Sequence, residues 1–185
     1  MSGPPPARRL VSLGAVRGLP VVGRADGVYV GKLDDVLISV EGLVAIGYTV
    51  RAPGFWGGRR GIEVAAMERL GRDFVIVRDA DAAEPAGDAR GKLDDRLWIS
   101  EWLGARCITR RGAEVGKLVD VLLEGDGTAL RVLVLDGGRV LVPGRRCEVG
   151  RDSVVVEELD VPLKPADAAD TAGWWREVEA LLPAV

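Results

Sequence analysis

The sequence predicts an all-β protein made of two tandem small barrels with short helical turns and a C-terminal helix. Three observations carry that prediction. Glycine is abundant, 25 residues, and falls between short Val/Leu-rich runs, the pattern of short strands joined by tight turns. The chain is 48% hydrophobic, which supplies a core and argues against global disorder. One stretch occurs twice: Gly31-Lys32-Leu33-Asp34-Asp35-Val36-Leu37-Ile38 returns as Gly116-Lys117-Leu118-Val119-Asp120-Val121-Leu122-Leu123. Each copy follows a glycine-bearing turn and runs into an apolar, β-rich segment.

Taken in order, residues 1–9 hold three consecutive prolines and two arginines and read as a disordered tail. The first barrel spans 10–79. It opens with a strand at 18–22, turns at Asp26-Gly27, and continues as strands at 30–40 and 43–50. These two flank Glu41-Gly42 and should pair as an antiparallel hairpin. A strand at 62–64, a helical turn at 65–70 and a last strand at 74–77 complete the unit.

A linker rich in Ala, Asp and Gly occupies 80–96. It contains Gly91-Lys92-Leu93-Asp94-Asp95, which repeats 31–35 but runs into Arg96-Leu97-Trp98 instead of a hairpin, so it does not define a third copy. The second barrel spans 97–160: a capped helical turn at 100–104, strands at 105–109, 115–123, 130–135 and 140–142, a helical turn at 143–149, and a strand at 153–156. In the tail at 161–185, Trp174, Val178, Leu181 and Leu182 make one apolar stripe, a short amphipathic helix. Relative to the second unit, the first carries an insertion at 52–60. Two homologous units are expected to pack as a pseudo-twofold pair.

Composition narrows the function. The chain has no histidine, which removes the commonest general base and the commonest metal ligand at neutral pH. Cys107 and Cys147 lack CxxC spacing, so no zinc site is expected, and they read as reduced, buried thiols; a disulfide between them is the competing reading. The net charge of −3 argues against a generic nucleic-acid binder. No segment approaches the length of a membrane span, and the expected location is cytoplasmic.

The order of turn, strand, hairpin, helical turn and final strand, found twice, resembles the PRC-barrel family. In the second unit the resemblance rests on Ile99-Ser100-Glu101-Trp102-Leu103-Gly104-Ala105, on Arg111-Gly112 through Leu122, on Leu141-Val142-Pro143, and on Gly150-Arg151-Asp152-Ser153-Val154-Val155-Val156. In the first it rests on Asp26-Gly27, on Gly31 to Leu37, and on residues 62–77. That family includes the cytoplasmic part of the reaction-centre H subunit and the C-terminal domain of RimM. The resemblance implies a non-catalytic module that binds proteins or RNA-protein assemblies, with no cofactor and no catalytic residue carried over.

Among individual residues, Gly31, Asp35, Gly116 and Asp120 recur at matching places and read as structural repeat positions. Asp34 and Asp35 are adjacent on a strand, so their side chains should diverge and make no metal site. The candidate partner-binding residues are Phe55, Trp56, Arg59 and Arg60, because aromatics and arginine are enriched in binding hot spots. The competing reading has Phe55 and Trp56 packing between the barrels. Trp98 and Trp102 read as core or inter-barrel packing. The expected function is an adaptor or scaffold for a protein partner. An RNA- or ribosome-associated role is the alternative, and self-association into a homo-oligomer is compatible with the pattern.

Overall fold

The computed structural model describes residues 10–54, 58–85, 96–143, 147–150 and 152–156, and over them the chain is an all-β fold with few, short helical turns. The expected tail at 1–9, the C-terminal helix, Phe55 and Trp56, and most of the linker lie outside these residues.

In the first unit, β1 (Leu10–Ser12) leads into α1 (Leu13–Val16). There follow β2 (Pro20–Gly23), β3 (Tyr29–Ser39), β4 (Val44–Arg51), β5 (Arg59–Glu63), a 3-10 turn (Val64–Ala66), β6 (Met67–Leu70), β7 (Val75–Val77), a second 3-10 turn (Ala80–Ala82) and β8 (Ala83–Pro85). The second unit repeats the order of the strands up to β7. Its elements are β9 (Arg96–Trp98), α2 (Ile99–Trp102), β10 (Arg106–Thr109), β11 (Glu114–Glu124), β12 (Leu130–Leu135), a 3-10 turn (Asp136–Gly138), β13 (Arg139–Leu141), β14 (Cys147–Val149) and β15 (Ser153–Val156).

Two sheets result. One runs β6-β7-β2-β3-β4-β5-β8 and the other β13-β12-β11-β10-β15-β14. Among the described residues both stay open paths; no closed barrel forms. The parallel pairs, β2 with β7 and β10 with β15, occupy the same place in each unit. The helical turn expected at 65–70 is instead a 3-10 turn followed by β6. Met67 and Leu70 are buried with Glu68 and Arg69 exposed between them, a spacing that reads as helical. A bulge between Met67 and Arg69 produces the same spacing in a strand. In the second unit, 147–149 of the expected turn at 143–149 is likewise a strand, β14.

The recurring glycine has a common cause. Gly31 and Gly116 adopt φ of 151° and 157°, in the region that favours glycine. A Cβ at Gly31 would lie 2.3 Å from the Arg51 carbonyl oxygen, and one at Gly116 would lie 2.5 Å from Asp136 Oδ1. At Gly31 the backbone of β4 leaves no room for a side chain, whereas at Gly116 the nearest obstacle is the Asp136 carboxylate.

The lead segments cross between the units. β1 pairs with β11 through Leu10–Glu124, Val11–Leu123 and Ser12–Leu122. β9 pairs with β3 through Arg96–Ser39, Leu97–Ile38 and Trp98–Leu37. The exchange is reciprocal, as in an isologous dimer. The hairpin tips interlock as well: Ala45 N–H donates to Thr128 O at 2.9 Å, Leu130 N–H to Leu43 O at 2.9 Å, and Leu70 N–H to Gly125 O at 2.8 Å. The buried Tyr48 hydroxyl donates to Gly127 O, and burial pushes its phenol pKa up. One continuous hydrophobic core therefore includes Val36, Ile38, Val50, Val75 and Val77 together with Trp102, Val121, Leu133, Leu135 and Val154.

Candidate binding face of the first unit

The two carboxylates of the repeated stretch lie on one face, against the expected divergence. The register of β3 on β4 shifts between Leu33 and Asp35, from Leu33–Val50 to Asp35–Thr49. The extra residue of that bulge breaks the two-residue period. Leu33 and Val36 enter the core, while Asp34 and Asp35 both turn to the outer face, where their partners lie. The second unit bulges identically between Leu118 and Asp120, leaving Val119 half exposed.

Asp35 and Asp120 hold the crossing segments. Asp35 Oδ1 accepts from Val36 N–H at 2.9 Å and from Ser100 N–H at 3.1 Å, and its Oδ2 accepts from the Ser100 hydroxyl. Asp120 Oδ1 accepts from Val121 N–H at 2.8 Å and Gly14 N–H at 3.1 Å, and its Oδ2 accepts from the Ser12 hydroxyl. Each carboxylate satisfies one amide at the start of the helical turn led in by the other unit's crossing strand, a group that a helix start otherwise leaves unpaired. Ser12 also caps α1 by accepting from Ala15 N–H at 3.1 Å.

Asp34 has a different job. It is 4% exposed, and two arginines reach it: Arg51 Nη2 lies 2.9 Å from Oδ1 and Arg59 Nε 2.7 Å from Oδ2. Arg51 and Arg59 face each other across β4 and β5, at the two stems of the inserted loop. Ala52 N–H donates to Gly58 O at 3.1 Å just above them. A buried charge needs such pairing. The guanidinium groups stay largely in water. Of the predicted partner-binding set, Arg59 is therefore committed to the clamp at the loop base, Arg60 sits exposed beside it on β5, and Phe55 and Trp56 fall outside the described residues. In the second unit only 136–139 bridge the equivalent of 51–60, and Val119 replaces Asp34.

Below the clamp, the same face opens into a pocket of about 620 Å³. Leu37, Gly47, Thr49 and Gly61 form its floor and Trp98 of β9 stands at its wall. Thr49 is 4% exposed, and its Oγ1 has no hydrogen-bond partner among the described residues. Four carboxylates line the site (Glu63, Asp79, Asp81 and Glu84) against one guanidinium, Arg78. Arg78 Nε pairs with Asp79 Oδ2 at 3.1 Å, and Asp79 Oδ1 accepts from Ala82 N–H at 2.9 Å. Sequence reading missed this pocket. Its signal was present in the repeat: Gly47, Thr49, Gly61 and Glu63 align with Val132, Val134, Val140 and Val142.

The cysteines are free thiols, Cys107 buried and Cys147 partly so. Burial, with Cys147 and Asp136 nearby, pushes the Cys107 thiol up to about 12; burial, with Glu148, pushes Cys147 up to about 11. Trp102 is fully buried, whereas Trp98 is partly exposed. On the surface of the second unit, Arg110 Nη2 lies 2.7 Å from Glu148 Oε1. No helix among the described residues is long and apolar enough to cross a membrane.

No curated protein matches the chain. The PRC-barrel domain family model matches residues 94–161, the part that holds β9 to β15. That segment of an all-β chain is similar to the PRC-barrel domain.

Proposed function

We propose that this chain is a non-catalytic adaptor that binds a protein partner in the cytoplasm through the outer face of its first unit. The observation that carries this reading is the Asp34 clamp. A buried carboxylate grips Arg51 and Arg59 on both stems of a loop that the second unit lacks. The second unit completes the same topology without loop or clamp, so the fold does not require them. Residues 52–60 supply Phe55, Trp56, Arg59 and Arg60, the residue types that dominate interface energetics. A non-catalytic role fits the chemistry of the chain: it has no histidine, and thiols pushed up to about 12 and about 11 stay protonated near neutral pH rather than acting as nucleophiles.

The test compares tagged wild-type chain with a Phe55→Ala/Trp56→Ala variant, both purified from native cells with and without ribonuclease. A defined protein that co-elutes with wild type through gel filtration, resists ribonuclease and is lost in the folded variant supports the adaptor reading. Ribosomal particles that leave with ribonuclease or moderate salt would replace it with the RNA-associated reading. Equal capture by both forms would assign the loop to structure alone.

A further inference from the structure

The pocket floor is a place where the two units made opposite choices. In the second unit Leu122, Val132 and Val140 are buried as a small cluster packed against Val134, Val142 and Leu10. In the first, Leu37 keeps its place, but glycine stands at 47 and 61, threonine at 49 and glutamate at 63. Neither Gly47 nor Gly61 has a positive φ. A Cβ at Gly47 would meet only Ile62 O, at 3.4 Å, an ordinary contact. The backbone therefore does not demand glycine at 47, and what glycine provides there is space. A pocket of about 620 Å³ falls within the range of ligand sites.

The chemistry of its walls selects the occupant. Arg78 is taken by Asp79, and Glu63, Asp81 and Glu84 have no ion-pair partner among the described residues. The rim is thus acidic, the floor is small and partly apolar, and an indole stands beside it. That combination suits a cation on an aliphatic stem: the stem lies on Leu37 and Gly47, the charged head faces the carboxylates, and Trp98 offers its ring to the cation. Thr49 adds a buried hydroxyl whose hydrogen-bonding capacity the described residues leave unused. We infer that the pocket receives an arginine side chain presented by a protein partner. This rests on the adaptor reading and specifies the partner's chemistry: an arginine whose aliphatic stem and charged head the pocket receives.

The test uses the full chain, labelled for amide NMR, titrated with the acetylated pentapeptide amide of sequence Gly-Val-Arg-Val-Gly and with counterparts carrying Gln or Glu at the centre. The expected result is shift changes centred on Gly47, Thr49 and Gly61, with the Arg peptide binding about tenfold tighter than the Glu peptide. Gly47→Val/Gly61→Val, which installs the residues of the second unit, should weaken binding by about tenfold or more without lowering the melting temperature. Glu63→Gln/Glu84→Gln changes two exposed side chains and spares the core. It should weaken Arg-peptide binding severalfold and flatten its salt dependence. Equal binding of the Arg and Glu peptides, shifts away from the pocket, or wild-type affinity in both variants would overturn the inference. A partner that resists ribonuclease and persists on the Gly47→Val/Gly61→Val chain would sink the pocket assignment and leave the adaptor reading standing. Specific peptide binding alongside purely ribonuclease-sensitive capture would do the reverse.

Discussion

The two units share their topology and differ in how they use the outer face of the sheet. The second fills it: Leu122, Val132 and Val140 are buried outside the main core, and burying such side chains stabilises by roughly 1.5–3 kcal/mol each. The first leaves the corresponding floor to Gly47, Thr49 and Gly61. Glycine within a strand costs about 0.5–1 kcal/mol relative to alanine. The first unit tolerates this because its inner face belongs to the core that both units share. Stability is concentrated where the units meet, and the first unit's outer face is released for other work, with a clamp, a longer hairpin and an acidic pocket in place of packing.

The sharpest way to test the equivalence of the units is at the repeated glycine. Gly31→Ala would drive a Cβ against the Arg51 carbonyl, which belongs to a central strand and cannot move alone. Gly116→Ala would meet a side-chain carboxylate oxygen of Asp136, which can rotate away. Both substitutions carry the strain of a positive φ. The expected loss is about 4 kcal/mol for Gly31→Ala and about 2 kcal/mol for Gly116→Ala, read from urea denaturation midpoints. Equal losses would mean that φ strain alone sets the penalty and that the close approach to Arg51 is relieved elsewhere.

A smaller difference is expected at the paired carboxylates. Asp35 is 2% exposed, whereas Asp120 is only partly buried. Each accepts three hydrogen bonds, two of them across the unit boundary. Removing either strands one amide and one hydroxyl at the start of the other unit's lead turn. Asp35→Ala should cost about 3 kcal/mol and Asp120→Ala about 2 kcal/mol, because water can reach the second site and partly satisfy the orphaned groups. Both variants should still unfold in a single transition. A separate early transition in either would show that the crossing strands are not part of one cooperative unit.

Much of this fold is legible in the sequence. Glycine-marked turns place most strand ends to within a few residues, and the repeat places the hairpins of both units. The crossing of β1 and β9 is not legible. A three-residue strand such as 10–12 encodes a local conformation but not its partner, and both lead segments would satisfy their own unit equally well by pattern. The bulge at Asp34 and Asp35 is hidden for a related reason: a strict two-residue period assigns them to opposite faces, and only the tertiary register shows both turned outward. The clamp was half visible, since Arg59 stands out in the insertion, while Arg51 and Asp34 read as ordinary strand residues. The pocket escapes any reading of one strand at a time. It becomes visible when outward positions of the two copies are compared and glycine is found opposite valine.

The smallest difference between the units concerns alkaline pH. Cys107 and Cys147 stand where the first unit has Val21 and Met67, which do not titrate. Burial raises the thiols from an ordinary value of 9.0 to about 12 and about 11. The folded chain therefore holds these two protons more tightly than the unfolded chain does. Their contribution is fully present below about pH 9 and is lost as pH rises towards the folded values, because only the unfolded state ionises in that interval. The slope is at most about 1.4 kcal/mol per pH unit for the fully buried Cys107, and less for Cys147, whose thiolate water can screen. Cys107→Val/Cys147→Met transplants the first unit's residues. Between about pH 8 and about pH 10, wild type should lose up to about 1–2 kcal/mol more stability than this variant, while below about pH 8 the gap between them stays constant. Lysine and tyrosine ionise in the same range, so the quantity that decides is the difference between the two proteins measured in parallel. A difference that stays flat to about pH 10 would mean that the thiols ionise as easily folded as unfolded, and that the second unit's core at Cys107 admits water.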